Sequence, residues 1–157
     1  MGTDLLKTLD RLRDIYADKL PFNRLLGLEV GSLTADGAAL MFDLRRELIG
    51  NYQRRRLHGG VISAVLDTVG GLTASAAALV REQTPCGQVE ARLAGIGTVD
   101  LRVDFLRPGN GERFTATGTV MRTGSHLVVV RMALENEAAD GLIASGAGTY
   151  WIGPAAA

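Results

Sequence analysis

With 157 residues, 17 basic and 17 acidic side chains, the chain holds one domain's worth of sequence and no net charge, which argues against a non-specific nucleic-acid binder and a basic membrane-surface protein. Hydrophobic residues make up 46% and aromatics only 5%, so the core has to be aliphatic. A single cysteine, Cys86, excludes an internal disulfide framework, and the charged N-terminus lacks a signal-peptide core; both point to a soluble cytoplasmic protein.

Leu5, Leu6, Leu9, Leu12, Ile15, Tyr16 and Leu20 recur at helical spacing and predict a surface helix over 3–19, capped by Thr3. Pro21 is expected to end it, with a short turn leading into the first strand. Residues 28–33 and 38–44 predict two strands joined at Ala35-Asp36-Gly37, a hairpin. Arg45 to Arg56 is polar and irregular.

The stretch from Leu57 to Arg81 then opens on His58-Gly59-Gly60 and runs on with no wide polar stripe. A helix apolar on all sides is a buried helix. Gly, Ser, Thr and Asp interrupt it too often for a membrane span, although its length would allow one. Thr84 to Gly95, with Pro85 and Gly87, reads as a loop. Val99, Leu101, Val103 and Phe105 alternate against Asp100, Arg102, Asp104 and Leu106, which predicts a strand with one buried face. Further strands are expected over 114–120, 127–135 and 142–152, with turns at Gly124-Ser125 and Asn136 to Asp140, and a frayed tail over 154–157. The division is an N-terminal helix over 1–20, one domain over 21–153, and the tail. Strands in runs with one segregated helix indicate an α+β domain whose curved antiparallel sheet wraps that helix.

Asp67 sits in the middle of the apolar helix, where a carboxylate is costly unless it is partnered or faces a cavity. Ser63 and Gly71, four residues to either side, make its face small and partly polar. A structural Asp bonded to Ser63 or to a backbone amide is the plain alternative. At the helix start, the first N–H groups have no intrahelical partner and the dipole adds positive charge. Gly59 and Gly60 let a substrate carbonyl approach those amides, as in an oxyanion hole; a tight helix start is the other explanation. His58 and Asp67 are about 2.5 turns and roughly 13 Å apart along one helix, so they cannot form a dyad within one chain.

Arg54, Arg55, Arg56 and Arg107 suit phosphate contact, although a solvated loop is the commoner reason for such residues. His126 falls in a surface turn, and Cys86 has no adjacent base. The two histidines and one cysteine show no metal-ligand spacing, so no metal is expected. There is no phosphate-binding glycine pattern. Asp100, Asp104 and Arg102 share one strand face, as cross-strand charge pairing would require.

The helix start His58-Gly59-Gly60, an Asp nine positions after the His, the strand Thr98 to Gly109 and the glycine-rich strand Ala144 to Tyr150 together resemble the hotdog-fold, PaaI-like (phenylacetate-type) acyl-CoA thioesterases. The resemblance covers about residues 22–152. It implies hydrolysis of an acyl-CoA substrate to a carboxylic acid and free CoA, with Asp67 as general base or nucleophile. It further implies a homodimer in which the helix tip of one subunit faces the carboxylate of the other, Gly60 being the leading carbonyl donor and Gly59 close behind. A second pairing into a homotetramer is expected, and no cofactor, since coenzyme A belongs to the substrate. Thr98 matches a Ser or Thr placed beside the Asp to hold water. Asn51 stands for the family's Asn with a spacing one residue longer, and Gln53 is its alternative. His58 is expected to orient the loop or to bond a backbone group rather than to carry a proton. Two other readings share the fold: a non-catalytic acyl-CoA sensor, usually fused to a DNA-binding helix pair for which one charge-balanced helix is a poor match, and a 3-hydroxyacyl thioester dehydratase, which places its His and acid differently.

Overall fold

The computed structural model describes residues 2–138 and 141–154. Helix α1 (Gly2–Asp14) begins ahead of Thr3, which therefore lies inside the helix instead of capping it. It widens into a π-helical turn over Ile15–Lys19. Leu12 and Ile15 drop into the core, while Arg11 and Lys19 reach Glu90 across the surface. The bond from Arg11 holds the Glu90 carboxyl down at about 2, but so exposed a pair adds little stability.

The first helix stops before Pro21, as expected, but the turn expected after it is a second helix, α2 (Pro21–Leu26), which opens at Pro21 after an extended Leu20. A proline lacks the N–H and clashes inside a helix, yet its fixed φ suits the first helical position. The same residue thus stops one helix and starts the next. Gly27, at φ 71, closes α2 in the left-handed conformation that a side chain would resist.

Strands β1 (Glu29–Leu33) and β2 (Gly37–Asp43) form the expected hairpin. The segment expected to be irregular instead holds a 3-10 turn, Arg46–Leu48, and a small ladder of β3 (Ile49–Asn51) and β4 (Arg56–Leu57). The long helix α3 follows (Gly59–Arg81). It is long and apolar enough to cross a membrane by composition, but 67% of that window is buried inside the fold, so here it is the core rod of the domain. Thr84 to Gly95 is not a plain loop: a 3-10 turn, Cys86–Gln88, runs into α4 (Val89–Leu93), anchored by the fully buried Val89.

Strands β5 (Gly97–Phe105), β6 (Arg113–Thr123), β7 (Leu127–Asn136) and β8 (Leu142–Trp151) complete the fold. Six strands make one antiparallel sheet in the order β1-β2-β6-β7-β8-β5. Val65, Leu66, Val69, Leu72 and Leu79 of α3 join Leu40, Phe42, Phe114, Val130 and Met132 of the sheet in one core cluster. Part of the turn expected over Asn136 to Asp140, and the end of the expected tail, lie outside the described residues.

β5 departs most from its sequence pattern. It is an edge strand, and Val99 and Phe105 are 57% and 56% exposed. Alternation revealed a strand with one apolar face; it did not reveal that this chain leaves part of that face uncovered. Arg102 pairs with Asp104 on its own strand, at 3.2 Å, rather than across to a neighbour.

Close packing between α3 and β8 depends on one absent side chain. A Cβ on Gly70 would stand 1.9 Å from the Tyr150 hydroxyl oxygen. Gly70→Ala should therefore destabilise the fold by about 1–3 kcal/mol through overpacking, despite the better helix propensity of alanine. Urea unfolding with an unchanged slope and a lower midpoint is the expected readout.

Candidate active site

Asp67 is half-buried on α3. The Thr98 hydroxyl donates to its Oδ1 at 2.9 Å. The Tyr150 hydroxyl donates to the Asp67 main-chain carbonyl at 3.1 Å and lies 3.4 Å from the same Oδ1. Sheet register explains the convergence. Thr98 and Tyr150 are paired neighbours on β5 and β8, and the ladder shifts by one residue between Thr98 and Asp100. That bulge turns Thr98 toward the helix and leaves Val99 outside, which is why the expected alternation fails at Val99. Ser63 does not bond Asp67; its hydroxyl donates to the Gly59 carbonyl at 3.2 Å, one helical turn back. Among the described residues, Oδ2 of Asp67 carries no hydrogen bond.

Sequence reading did not single out Tyr150. It stands in a strand like many others, and its slot is made by Gly70 and Gly148, which meet only in three dimensions. Burial pushes the phenol above its ordinary pKa, and the negative charge of Asp67 adds to the shift, so Tyr150 remains a donor at neutral pH. Tyr16 stands nearby: its hydroxyl is 3.4 Å from Ser75 Oγ, and burial raises it as well. Tyr150→Phe removes the hydroxyl that reaches both the main-chain carbonyl and the carboxylate of Asp67, a loss of about 1–3 kcal/mol for a hydrogen bond to a charged group. A melting point several degrees lower than that of the parent is the expected result.

The second cluster is the tip of α3. His58 is the N-cap, extended at φ −67, ψ 136, and its Nδ1 accepts the Gly60 N–H at 2.8 Å. An accepting Nδ1 carries no proton, so the neutral ring bears its hydrogen on Nε2. The amides of Val61 and Ile62 both reach the His58 carbonyl, at 3.0 and 3.2 Å. The tip is held from behind by the His58 amide, which donates to the Leu48 carbonyl at 2.9 Å. Of the first amides of α3, that of Gly59 alone has no partner among the described residues. A Cβ on Gly59 would rest 3.5 Å from the Phe105 ring, at the far end of β5 from Thr98. His58 and Asp67 share one helix without touching, as their spacing required.

The remaining candidates do not join either cluster. Asn51 Oδ1 accepts the Arg54 amide at 3.1 Å and so closes the turn between β3 and β4. Gln53 is exposed in that turn. The three arginines diverge: Arg54 is exposed, Arg55 lies 3.4 Å from Glu112, and Arg56 donates to Asn110 at 2.9 Å. Arg55 also borders a hollow of about 430 Å³ with Arg46, Ile49 and Tyr52. Arg107 is exposed beyond β5, its amide on the Ile143 carbonyl at 3.0 Å. His126 stacks on Trp151, with ring centres 5.4 Å apart, and the Cys86 thiol donates to the Lys7 carbonyl at 3.6 Å.

The Thioesterase superfamily pattern matches residues 56–141, a span that takes in His58, Asp67 and Thr98. The chain is 40% identical over 148 residues to the Escherichia coli (strain K12) protein named Medium/long-chain acyl-CoA thioesterase YigI, covering 94% of this chain and 95% of that one. A solved structure from Shewanella oneidensis, described as related to the thioesterase superfamily, superposes with a TM-score of 0.88 at 42% identity over 95% of this chain and 97% of its own. A thioesterase family protein from Silicibacter pomeroyi gives 0.73 at 26% identity, over 90% and 95%. A six-stranded sheet curled around one long helix, with these matches along nearly its whole length, makes the chain a member of the thioesterase superfamily with the hotdog fold.

Proposed function

We propose that the protein hydrolyses acyl-CoA thioesters, with Asp67 as the general base on water. The observation that carries this reading is the half-buried Asp67 carboxylate, whose Oδ1 is held by Thr98 and Tyr150 while Oδ2 is free to take a proton. Water hydrogen-bonded beside Thr98 attacks the thioester carbon and gives one proton to Asp67. The carbonyl oxygen becomes an oxyanion, stabilised by the open Gly59 N–H and the dipole of α3. The C–S bond then breaks, and the departing thiolate takes the proton back from Asp67. Gly60 contributes indirectly, because His58 Nδ1 engages its N–H and fixes the direction of the tip. This chemistry asks for no metal or redox group.

Asp67 and the helix tip of one chain are too far apart for a single small substrate, so the reading calls for a homodimer. Edge strand β5 carries Thr98, next to Asp67, at one end and Phe105, next to Gly59, at the other. Antiparallel pairing of β5 with its copy, about a two-fold axis near Leu101 and Arg102, sets each Thr98 against the partner's end of the strand that carries Phe105. It would also cover the exposed Val99 and Phe105. Two equivalent sites result, each with Asp67 from one chain and Gly59 from the other; further pairing into a homotetramer leaves them unchanged. Arg46 and Arg55, with Tyr52 between them, are suited to the phosphates and adenine of coenzyme A. A cytoplasmic location fits a substrate of this kind. Turnover of a panel of acyl-CoAs, followed by thiol release, tests the reading; no release above the spontaneous rate with any chain would overturn it.

A further inference from the structure

Beside the tip of α3 lies a cavity of about 470 Å³, walled mainly by Phe22, Leu25 and Leu26 of α2, by Leu48, and by Val61 and Ala64 of α3, with the charged Arg45 and Glu47 also on its wall. His58 and Gly60 border it too, so the cavity adjoins the tip where the Gly59 amide is open. Its volume lies in the range of small-molecule pockets, roughly 300–1,000 Å³, and is large for an acetyl group alone. The way α2 is mounted is informative. Its inner face is fastened by buried Leu26 and by Asn23, which donates to the Tyr16 carbonyl at 3.0 Å. Arg45, just past β2, donates to the Leu25 carbonyl and ties the C-terminal end of α2 in place. Phe22 and Leu25 are thereby held beside the cavity while 53% and 64% exposed. Two large apolar side chains on a fastened helix, over an apolar floor that leads to a carbonyl-binding tip, fit an alkyl occupant.

We infer that this cavity receives the alkyl chain of the acyl group and that α2 sets the preferred chain length. The inference rests on the hydrolase reading above for the identity of the ligand. Leu48, Val61 and Ala64 form the floor, and Phe22 and Leu25 close over the chain as it lengthens. All of α2 precedes the family-matched residues 56–141, so the part of the cavity that closes over the chain lies outside the segment that holds His58, Asp67 and Thr98, while Val61 and Ala64 of the floor lie within it.

Non-hydrolysable S-alkyl-CoA thioethers bearing butyl, octyl and dodecyl chains test this by titration calorimetry. In the parent protein the Kd should fall with chain length, by up to about fourfold per methylene while the chain remains within the walls. Ala64→Phe, which fills the floor, should flatten that dependence, and Leu25→Ser should weaken it. Leu6→Ser, an exposed change on α1, should retain it. Parallel dependence in the parent, Ala64→Phe and Leu25→Ser overturns the inference, as does an equal loss in Leu6→Ser. Should Ala64→Phe fail to fold by circular dichroism, Leu25→Ser decides alone, because its site is already exposed. The thioethers report binding without chemistry. Lack of turnover of true thioesters therefore sinks the hydrolase reading, while a flat chain-length dependence in the parent sinks the cavity assignment.

Discussion

Asp67→Asn is expected to lower kcat for acyl-CoA hydrolysis by about a thousandfold, within the range for loss of a positioned general base. That corresponds to about 4 kcal/mol of barrier. The substitution is nearly isosteric, and its surroundings tolerate it. Asparagine retains an Oδ1 for the Thr98 hydroxyl, now 2.9 Å away, and Tyr150 keeps the main-chain carbonyl at 3.1 Å. What disappears is the basic Oδ2, replaced by an amide that cannot accept a proton. KM should move little, because the lost interaction develops in the transition state. Thiol release and a melting curve on the same sample are the measurements; turnover within tenfold of the parent would remove Asp67 from the chemistry.

Gly59→Pro addresses the other half of the site and should cost about 10²–10³ in kcat, the usual effect of losing one oxyanion donor. Proline deletes the N–H and little else here. Gly59 is the first residue of α3, where proline is favoured, and His58 before it is extended at ψ 136, as a residue preceding proline prefers. The added Cβ meets the Phe105 ring at an ordinary 3.5 Å. Mixing this variant with Asp67→Asn then separates a shared site from a single-chain one. Fully exchanged equimolar chains form half mixed dimers, each with one intact site and one doubly damaged site, so about a quarter of parental activity should return. If subunit exchange is verified and nothing returns, Gly59 and Asp67 do not act across a subunit boundary.

Much of this architecture could be read from residue order alone. The run from Gly59 to Arg81 had no polar stripe and is the buried rod; the 28–44 hairpin and the three later strands appeared near their expected places. Thr98 was expected beside Asp67 by resemblance, and the bond is present. What escaped had physical reasons. Pro21 is a stop signal and a start signal at once, so α2 was read as a turn. The Gly60 amide was expected to be the leading donor, but an imidazole can cap a helix where Ser or Asp is usual, and His58 engages that amide. Strand periodicity says which side chains share a face, and a bulge at Val99 reverses the count without a local signature. Tyr150 could not be placed because the space for it lies on two elements distant in sequence.

Tyr150 has one more implication. Its ring is clamped between Gly70 and Gly148, and its hydroxyl spans the backbone and the carboxylate of a single residue, Asp67. The rivet joining rod to sheet and the brace of the proposed base are therefore one side chain. Many enzymes evolve by letting a strained centre drift while the scaffold compensates elsewhere. In this molecule that bargain is closed at Tyr150, so selection for durability and selection for turnover press on it in the same direction.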